Sequence, residues 1–179
     1  MMGERPQAVG PGRCTGAIGP RRHWTRNTRR KQGTTMAVTG HSEIEIAATP
    51  AEVMDAIADV EALPTWSSSH KSVTVEERYD DGRPKRVRST MNVMGINDEQ
   101  VAEYTWNGDE SVSWSLIESS QQKSQEGKYV LEPAGDGTKA VFDLAVETKI
   151  AIPGFIVKKA QKSGVETATK GLKKFVEKR

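Results

Sequence analysis

The chain has 179 residues, which suits a single domain of ordinary size. A chain of this length can bury a core without disulfides or metals, and the single cysteine, Cys14, excludes an internal disulfide framework. No run of about 18 apolar residues is present, which argues against a membrane-spanning helix.

The net charge of +2 is unevenly distributed along the chain. Residues 1–35 contain eight Arg or Lys residues and one acidic residue. Residues 158–179 contain eight Arg or Lys residues and two acidic residues. The segment between them contains ten basic and 21 acidic residues. The sequence therefore predicts an acidic body with two basic ends.

Residues 1–35 are predicted to form a disordered basic tail, because Gly, Pro, Arg and Thr dominate them. They lack the apolar segment of a secretory signal. We interpret them as a mis-assigned start or an added extension, with the domain at residues 36–179 beginning at Met36. A basic arm for nucleic acid and a transit-type peptide remain alternatives.

A strand and a capped helix open the predicted domain. Residues 42–47 alternate between apolar and polar side chains, as a half-buried strand requires. Thr49 can cap a helix with Pro50 at its first position and Glu52 where a capping box needs an acid. The helical pattern is expected to end at Leu63-Pro64-Thr65-Trp66, because the ring of Pro64 disfavours helix at Leu63.

Four turn signals between alternating runs predict antiparallel hairpins. They are Asp80-Asp81-Gly82, Gly95-Ile96-Asn97-Asp98, Asn107-Gly108-Asp109 and Gly135-Asp136-Gly137. With a weaker connection at residues 118–120, they bound six further strands, at residues 71–79, 84–94, 99–106, 111–117, 123–132 and 138–149. A long helix is predicted from Pro153-Gly154 to the end. The economical arrangement is a curved seven-stranded antiparallel sheet with the last helix in its concave face.

The Asn107-Gly108 turn fixes which side chains share a face of the sheet. It places Trp106 opposite Val112 and Tyr104 opposite Trp114. The same face then carries Val87, Ser89, Met91, Val93, Ala102, Leu116, Gln125, Gly127, Tyr129, Leu131, Phe142, Leu144 and Val146. This face is predicted to hold no Asp, Glu, Lys, Arg or His, which suits either a packed core or a pocket for an apolar ligand.

Small residues form a stripe along the predicted last helix, at Ala160, Gly164, Ala168 and Gly171. Each interior glycine costs about 1 kcal/mol relative to alanine, so some gain must offset it. Either the helix approaches the sheet closely or the small side chains leave room for a ligand, and the aromatic residues of the sheet favour the second. The predicted ligand-binding residues are Trp66, Met91, Tyr104, Trp106, Trp114, Tyr129, Phe142, Gly164 and Ala168.

This succession of elements resembles the START-like, or SRPBCC, superfamily, and within it the polyketide cyclase/dehydrase and lipid-transport group. The resemblance covers about residues 40–178. It is carried by Ile44-Glu45-Ile46, Thr49-Pro50-Ala51-Glu52-Val53, Leu63-Pro64-Thr65-Trp66 with Val73 and Val75, Tyr104-Thr105-Trp106, Trp114-Ser115-Leu116 and Pro153-Gly154-Phe155. It implies an α+β helix-grip fold. It does not fix the function, because this fold hosts carriers, cyclases, hydrolases and partner-binding modules.

The sequence contains no metal-ligand spacing, phosphate-binding glycine motif or nucleophile elbow, so we expect no cofactor and no metal. His70 follows Trp66 in a loop where the cavity of this family often opens. The simplest interpretation is a solvated histidine, and the alternative is an acid–base group that titrates near pH 7.

Three functional hypotheses result. The first is a cytoplasmic protein that binds or carries a hydrophobic small molecule, such as a lipid or a polyketide-like compound. The second is a cyclase- or dehydratase-like enzyme in which Tyr104, Tyr129 or His70 handles protons, and the scarcity of such groups disfavours it. The third is an interaction module that binds protein or RNA through the lysines of the last helix. Nucleic acid is not the expected partner, and the oligomeric state stays open.

Overall fold

The computed structural model describes residues 37–179, so the predicted tail at residues 1–35 lies outside the described residues. The strands are β1 Ala37–Ile46, β2 His70–Arg78, β3 Pro84–Val93, β4 Ile96–Asn107, β5 Ser111–Ser119, β6 Gln122–Ala134 and β7 Gly137–Thr148. The helices are α1 Pro50–Ala58, a 3-10 turn Val60–Ala62, α2 Leu63–Trp66, α3 Gly154–Glu166, a π-helical segment Thr167–Gly171 and α4 Leu172–Val176. The last three are continuous, and we refer to Gly154–Val176 as the last helix.

The seven strands form one antiparallel sheet in the order β1-β7-β6-β5-β4-β3-β2. The predicted helix-grip arrangement is confirmed, with the last helix packed against the neighbouring strands β1 and β7. The predicted register of the central hairpin is also confirmed, because Trp106 pairs with Val112 and Tyr104 with Trp114. The alternation of side chains about this hairpin therefore places the predicted apolar residues on one face.

Glycines make the tight hairpin turns possible. Gly82, Gly95, Gly108 and Gly135 have φ angles of 87°, 86°, 51° and 58°, in the region that residues with a Cβ rarely adopt. All four lie in the predicted turn signals. Strand β4 nevertheless begins at Ile96, three residues earlier than predicted, and this lengthens the inner face of the sheet.

The helix after β1 starts as predicted but ends earlier. The Thr49 hydroxyl accepts a hydrogen bond from the Glu52 backbone, and the Glu52 carboxylate accepts one from the Thr49 backbone. This helix ends at Ala58, and Leu63–Trp66 forms a separate helical turn. The helical segment ends at Trp66, within the predicted Leu63–Trp66, but the expectation that Pro64 disfavours helix at Leu63 is wrong. Leu63 begins that turn, and the missing N–H of Pro64 has no helical partner to lose there.

The core lies where α1 and the end of the last helix meet strands β5 to β7. Val53 and Met54 from α1 and Leu172 from α4 are completely buried. They pack in one cluster with Val112 from β5 and Ala140 from β7. None of the helices in the described part of the chain combines the length and the apolar character that crossing a bilayer requires.

Candidate functional site

Two adjoining chambers separate the concave face of the sheet from the middle of the last helix. The inner chamber has a volume of about 140 Å³ and the outer one about 320 Å³. They adjoin because five residues line both: Ser69, Met91, Gln125, Leu144 and Gly164. The outer chamber is bounded by the β3–β4 turn and by the connection from β7 to the last helix.

The inner chamber is lined by eight of the nine residues predicted to bind ligand, namely Trp66, Met91, Tyr104, Trp114, Tyr129, Phe142, Gly164 and Ala168. Trp106 is on the same face of the sheet but outside this lining. Its indole N–H donates to the carbonyl oxygen of Pro84 at 2.7 Å, and the Arg83 guanidinium lies over its ring at 5.4 Å. Trp106 therefore packs the end of the sheet beyond the chamber.

A continuous group of aromatic rings forms the sheet side of the inner chamber. The ring centroids are 5.6 Å apart for Tyr104 and Trp114, 6.1 Å for Trp114 and Phe142, and 4.8 Å for Tyr129 and Phe142. The indole of Trp114 lies directly over Gly127, where an added Cβ would come within 2.1 Å of the ring. Gly127 is therefore required for this aromatic wall to lie flat on the sheet.

His70 is the ionisable group of the inner chamber, and it begins strand β2. Its Nδ1 lies 2.7 Å from the Ser67 hydroxyl at the end of α2. Burial lowers the pKa of His70 to about 4, because the charged imidazolium would lose its hydration. His70 is therefore neutral at pH 7, and it lies in the chamber wall at the start of β2, unlike the solvated loop histidine of the simplest interpretation.

The two tyrosines of the wall have different hydrogen bonding. The Tyr129 hydroxyl donates to the Ala168 carbonyl oxygen at 3.0 Å, within the π-helical segment. The wider turn of a π-helix disturbs the regular backbone pairing, so a side chain can bond such a carbonyl. Burial raises the pKa of Tyr129 far above its usual range and the pKa of Tyr104 to about 12, so both remain protonated.

Polar groups also line the inner chamber. The buried indole N–H of Trp66 has no hydrogen-bond partner within residues 37–179, and the Tyr104 side chain lines the same chamber. A buried donor without an acceptor costs free energy of about 1–3 kcal/mol. The chamber therefore offers two donors to an oxygen atom of a ligand.

The helix side of the cavity contains the predicted small residues, and its two glycines differ. A Cβ added to Gly164 would meet no atom within 4 Å, so this glycine borders open space. A Cβ added to Gly171 would lie 2.9 Å from the Trp66 carbonyl oxygen and 3.1 Å from its ring. The small residue therefore leaves open space at Gly164, whereas at Gly171 it allows the helix to approach Trp66 closely.

A polar network closes one side of the outer chamber around Asp98. Burial opposes ionisation of Asp98, but hydrogen bonds from Gln122, Ser119, Ser120 and the Gln121 backbone outweigh it and hold its pKa below the usual value. The Gln122 amide N–H₂ also donates to Gln100 at 3.0 Å. This network fixes the irregular β4–β5–β6 edge, where the pairing shifts between Val101 and Ala102.

The prediction that the inner face carries no ionisable side chain is wrong at two positions. Asp98 continues the alternation of Gln100, Ala102 and Tyr104, and it was missed because β4 was predicted to begin at residue 99. His70 was missed because β2 was predicted to begin one residue later, at residue 71. Within residues 37–179, no group of three or more His, Cys, Asp or Glu side chains is arranged to hold a metal ion.

Comparison with known proteins gives matches over the whole described body. The family described as polyketide cyclase/dehydrase and lipid transport matches residues 37–178. A START superfamily protein from Mycobacterium smegmatis is similar at 27% identity and a TM-score of 0.71, covering 78% of this chain and 97% of that one. A protein from Thermus thermophilus is similar at 28% identity and a TM-score of 0.67, with the same two coverages.

More distant structures share the fold. An aromatase/cyclase from Streptomyces sp. R1128 is 14% identical with a TM-score of 0.65, covering 80% of this chain and 96% of that one. At this identity the similarity concerns the fold alone. No curated protein matches the chain.

Proposed function

The chain belongs to the polyketide cyclase/dehydrase and lipid transport family, and from this premise we propose that it binds and carries a hydrophobic small molecule in the cytoplasm. One observation carries the proposal: a largely apolar cavity between sheet and helix, kept open by Gly164 and Ala168. Pockets for small ligands typically enclose about 300–1,000 Å³ and combine apolar walls with a few polar groups. The two adjoining chambers together fall within that range.

The lining supports a neutral, oxygen-bearing ligand, such as a lipid with a hydroxyl or ester group or a polyketide-like compound. The Tyr104 hydroxyl and the Trp66 indole N–H can each donate to an oxygen atom. The inner lining contains no Lys or Arg that could neutralise an acidic group, and His70 is uncharged at pH 7. A carboxylate or phosphate inside this chamber would lose its hydration without a partner charge.

The proposal is tested by filling the inner chamber from the helix side. We expect the wild-type protein to bind an apolar fluorescent probe and to retain a small molecule that native mass spectrometry detects. Ala168→Leu places a larger side chain in the chamber and should abolish probe binding while the protein stays folded. Lys174→Leu adds a leucine on the exposed face of the same helix and serves as the matched control.

Three outcomes would contradict the proposal. If the wild-type protein binds no probe and carries no molecule, the chambers are packing defects. If Ala168→Leu lowers the free energy of unfolding by about 1–3 kcal/mol, as overpacking of a tight core does, the helix lies too close to the sheet to admit a ligand. Unchanged probe binding in a folded Ala168→Leu protein would place the probe elsewhere.

An enzymatic role of the cyclase or dehydratase kind is the second candidate, because the neutral imidazole of His70 and the Tyr104 hydroxyl line the same chamber. An imidazole can accept a proton and a phenol can donate one. Tyr129 is a weaker candidate, since its hydroxyl already bonds Ala168. If the protein is an enzyme, His70→Asn should retain the bound molecule but stop its conversion, as followed by mass spectrometry. Equal product from both proteins would reject this role for His70.

A further inference from the structure

Exposed apolar side chains are concentrated where the outer chamber meets the surface. Of the six large apolar side chains that are exposed within residues 37–179, four lie in the β3–β4 turn and the β7–α3 connection. They are Val93, Met94, Ile150 and Phe155, and we call them the mouth patch. Phe155 is the most exposed, at 75% of its surface. Their neighbours Ile96, Ile152 and Ile156 line the outer chamber, so the two segments flank one opening.

The exposed charges of the two segments that carry the mouth patch have one sign, and the Asp98 carboxylate behind them is buried in its hydrogen-bond network. Residues 148–165 contain four lysines and no acidic residue. Lys158, Lys159 and Lys162 are exposed and make no ion pair within the described residues. Lys159 and Lys162 follow Phe155 by one and two helical turns and therefore share its face of the helix. The β3–β4 turn adds no opposing charge, because residues 90–97 are uncharged.

We propose that the mouth patch docks on the surface of an anionic lipid membrane, so that the outer chamber opens toward the bilayer. Apolar side chains beside a basic helical face are the pattern of interfacial membrane binding, in which the apolar groups enter the headgroup boundary and lysines attract anionic lipids. A 75%-exposed phenylalanine has no packing role in the fold, and its burial in the bilayer removes that apolar surface from water.

The charge favours a membrane over a second copy of the chain. Two copies meeting through this patch would bring together the unpaired lysines of both, and like charges repel. An anionic bilayer supplies the opposite charge across the whole patch. The position at the opening also gives a hydrophobic ligand a route between chamber and bilayer that does not cross water.

The test is co-sedimentation of the full chain with phosphatidylcholine vesicles, with and without phosphatidylglycerol. We expect binding to the anionic vesicles that weakens with salt. Each lysine near the surface contributes about 1 kcal/mol, a factor of about five, so Lys158→Glu, Lys159→Glu and Lys162→Glu together should weaken binding by more than about 100-fold. All three lysines are exposed, so these changes should leave the fold intact.

The matched control is Lys128→Glu with Lys174→Glu and Lys178→Glu, which changes the net charge equally at exposed positions away from the opening. Its binding should fall far less than that of the triple mouth variant. Phe155→Ser should weaken vesicle binding about tenfold without altering the protein's unfolding temperature. The two triple variants have the same net charge and the same basic residues at 1–35, so the comparison isolates the position of the charges.

Three results would overturn the proposal. Equal losses in the two triple variants would mean that net charge alone drives binding. Full vesicle binding by Phe155→Ser and the mouth triple variant would assign binding to another region. A dimer that Phe155→Ser converts to a monomer, with no vesicle binding in either form, would assign the patch to self-association. Probe binding in solution is measured separately, so failure of the membrane proposal leaves the proposed ligand binding testable.

Discussion

The two halves of the last helix meet the sheet in different ways. The first half, Gly154–Glu166, faces the chambers, and at Gly164 no atom lies within 4 Å of the position a Cβ would take. The second half contacts α1, α2 and β1, with Leu172 and Val176 in the core and Gly171 against Trp66. The first half has one fully buried residue, Val157, whereas α4 has two in five residues.

This difference separates anchoring from ligand access along one continuous helix. The second half is packed into the core, whereas the first half is held along strand β1, where the Gln161 amide donates to the Thr39 carbonyl oxygen at 2.6 Å. The gap therefore opens on the side of the helix that carries Gly164. The π-helical segment lies at the junction, where Tyr129 bonds the Ala168 carbonyl and fixes the point at which the gap closes. The cavity therefore depends on the core packing of Leu172 and Val176, which lie outside it.

The largest expected effect comes from weakening the anchored half. Leu172→Ala removes a completely buried side chain from the core and should lower the free energy of unfolding by about 2–5 kcal/mol. Ile156→Ala removes as many carbon atoms from a half-buried residue at the outer chamber and should cost about 1 kcal/mol. Urea unfolding of both variants measures the difference. Similar losses would mean that the first half also anchors the helix.

A second prediction concerns how the stability of the protein depends on pH through His70, which is buried in the inner chamber. Burial lowers the pKa of His70 to about 4 in the folded protein, against about 6.5 in the unfolded chain. The folded protein then binds fewer protons than the unfolded chain, so stability falls as the pH drops from 6.5 toward 4. Between pH 7.5 and pH 5 the loss from His70 should be about 2 kcal/mol.

The histidine effect is isolated by His70→Asn, which cannot titrate but keeps a polar group toward Ser67. The variant should lose correspondingly less stability than the wild type between pH 7.5 and pH 5. Because other groups titrate in both proteins, the difference between the two pH profiles is the quantity to measure. Identical profiles would show that His70 is hydrated and that the inner chamber is wet.

The strands, turns and capped helix of this fold could be predicted from sequence because each rests on local chemistry. Glycines in the four turns fixed the hairpins, and alternation with the Asn107-Gly108 turn correctly paired Tyr104 with Trp114. The error at Pro64 had a different origin. A proline shows where a helix cannot continue, but the same residue can start the next helical turn, and contacts with β2 and α4 decide between the two.

The polar part of the site was harder to predict than its aromatic wall. Asp98 and His70 lie at strand ends, and a boundary error of a few residues removed both from the predicted face. Trp106 shows the opposite problem, because alternation gives the face of a residue but not its distance from the chamber along the strand. The length of a strand relative to the helix that crosses it depends on tertiary packing.

The smallest expected effect is also the sharpest test of the two halves, because it uses the same substitution at both glycines. In a helix interior, glycine to alanine gains about 1 kcal/mol from propensity. At Gly164 nothing opposes that gain, so Gly164→Ala should be neutral or stabilise by up to about 1 kcal/mol, a rise in Tm of about 2–4 °C.

At Gly171 the new methyl group would lie 2.9 Å from the Trp66 carbonyl oxygen, and a backbone atom cannot move aside as a flexible side chain can. Overpacking costs about 1–3 kcal/mol, which outweighs the propensity gain, so Gly171→Ala should destabilise by about 1 kcal/mol. Thermal unfolding of the two variants gives shifts of opposite sign if the helix is closely packed at Gly171 and borders open space at Gly164. Shifts of the same sign would contradict this difference between the two glycines. Two losses of stability would mean that the helix is closely packed at both positions, and two gains would mean that both positions border open space.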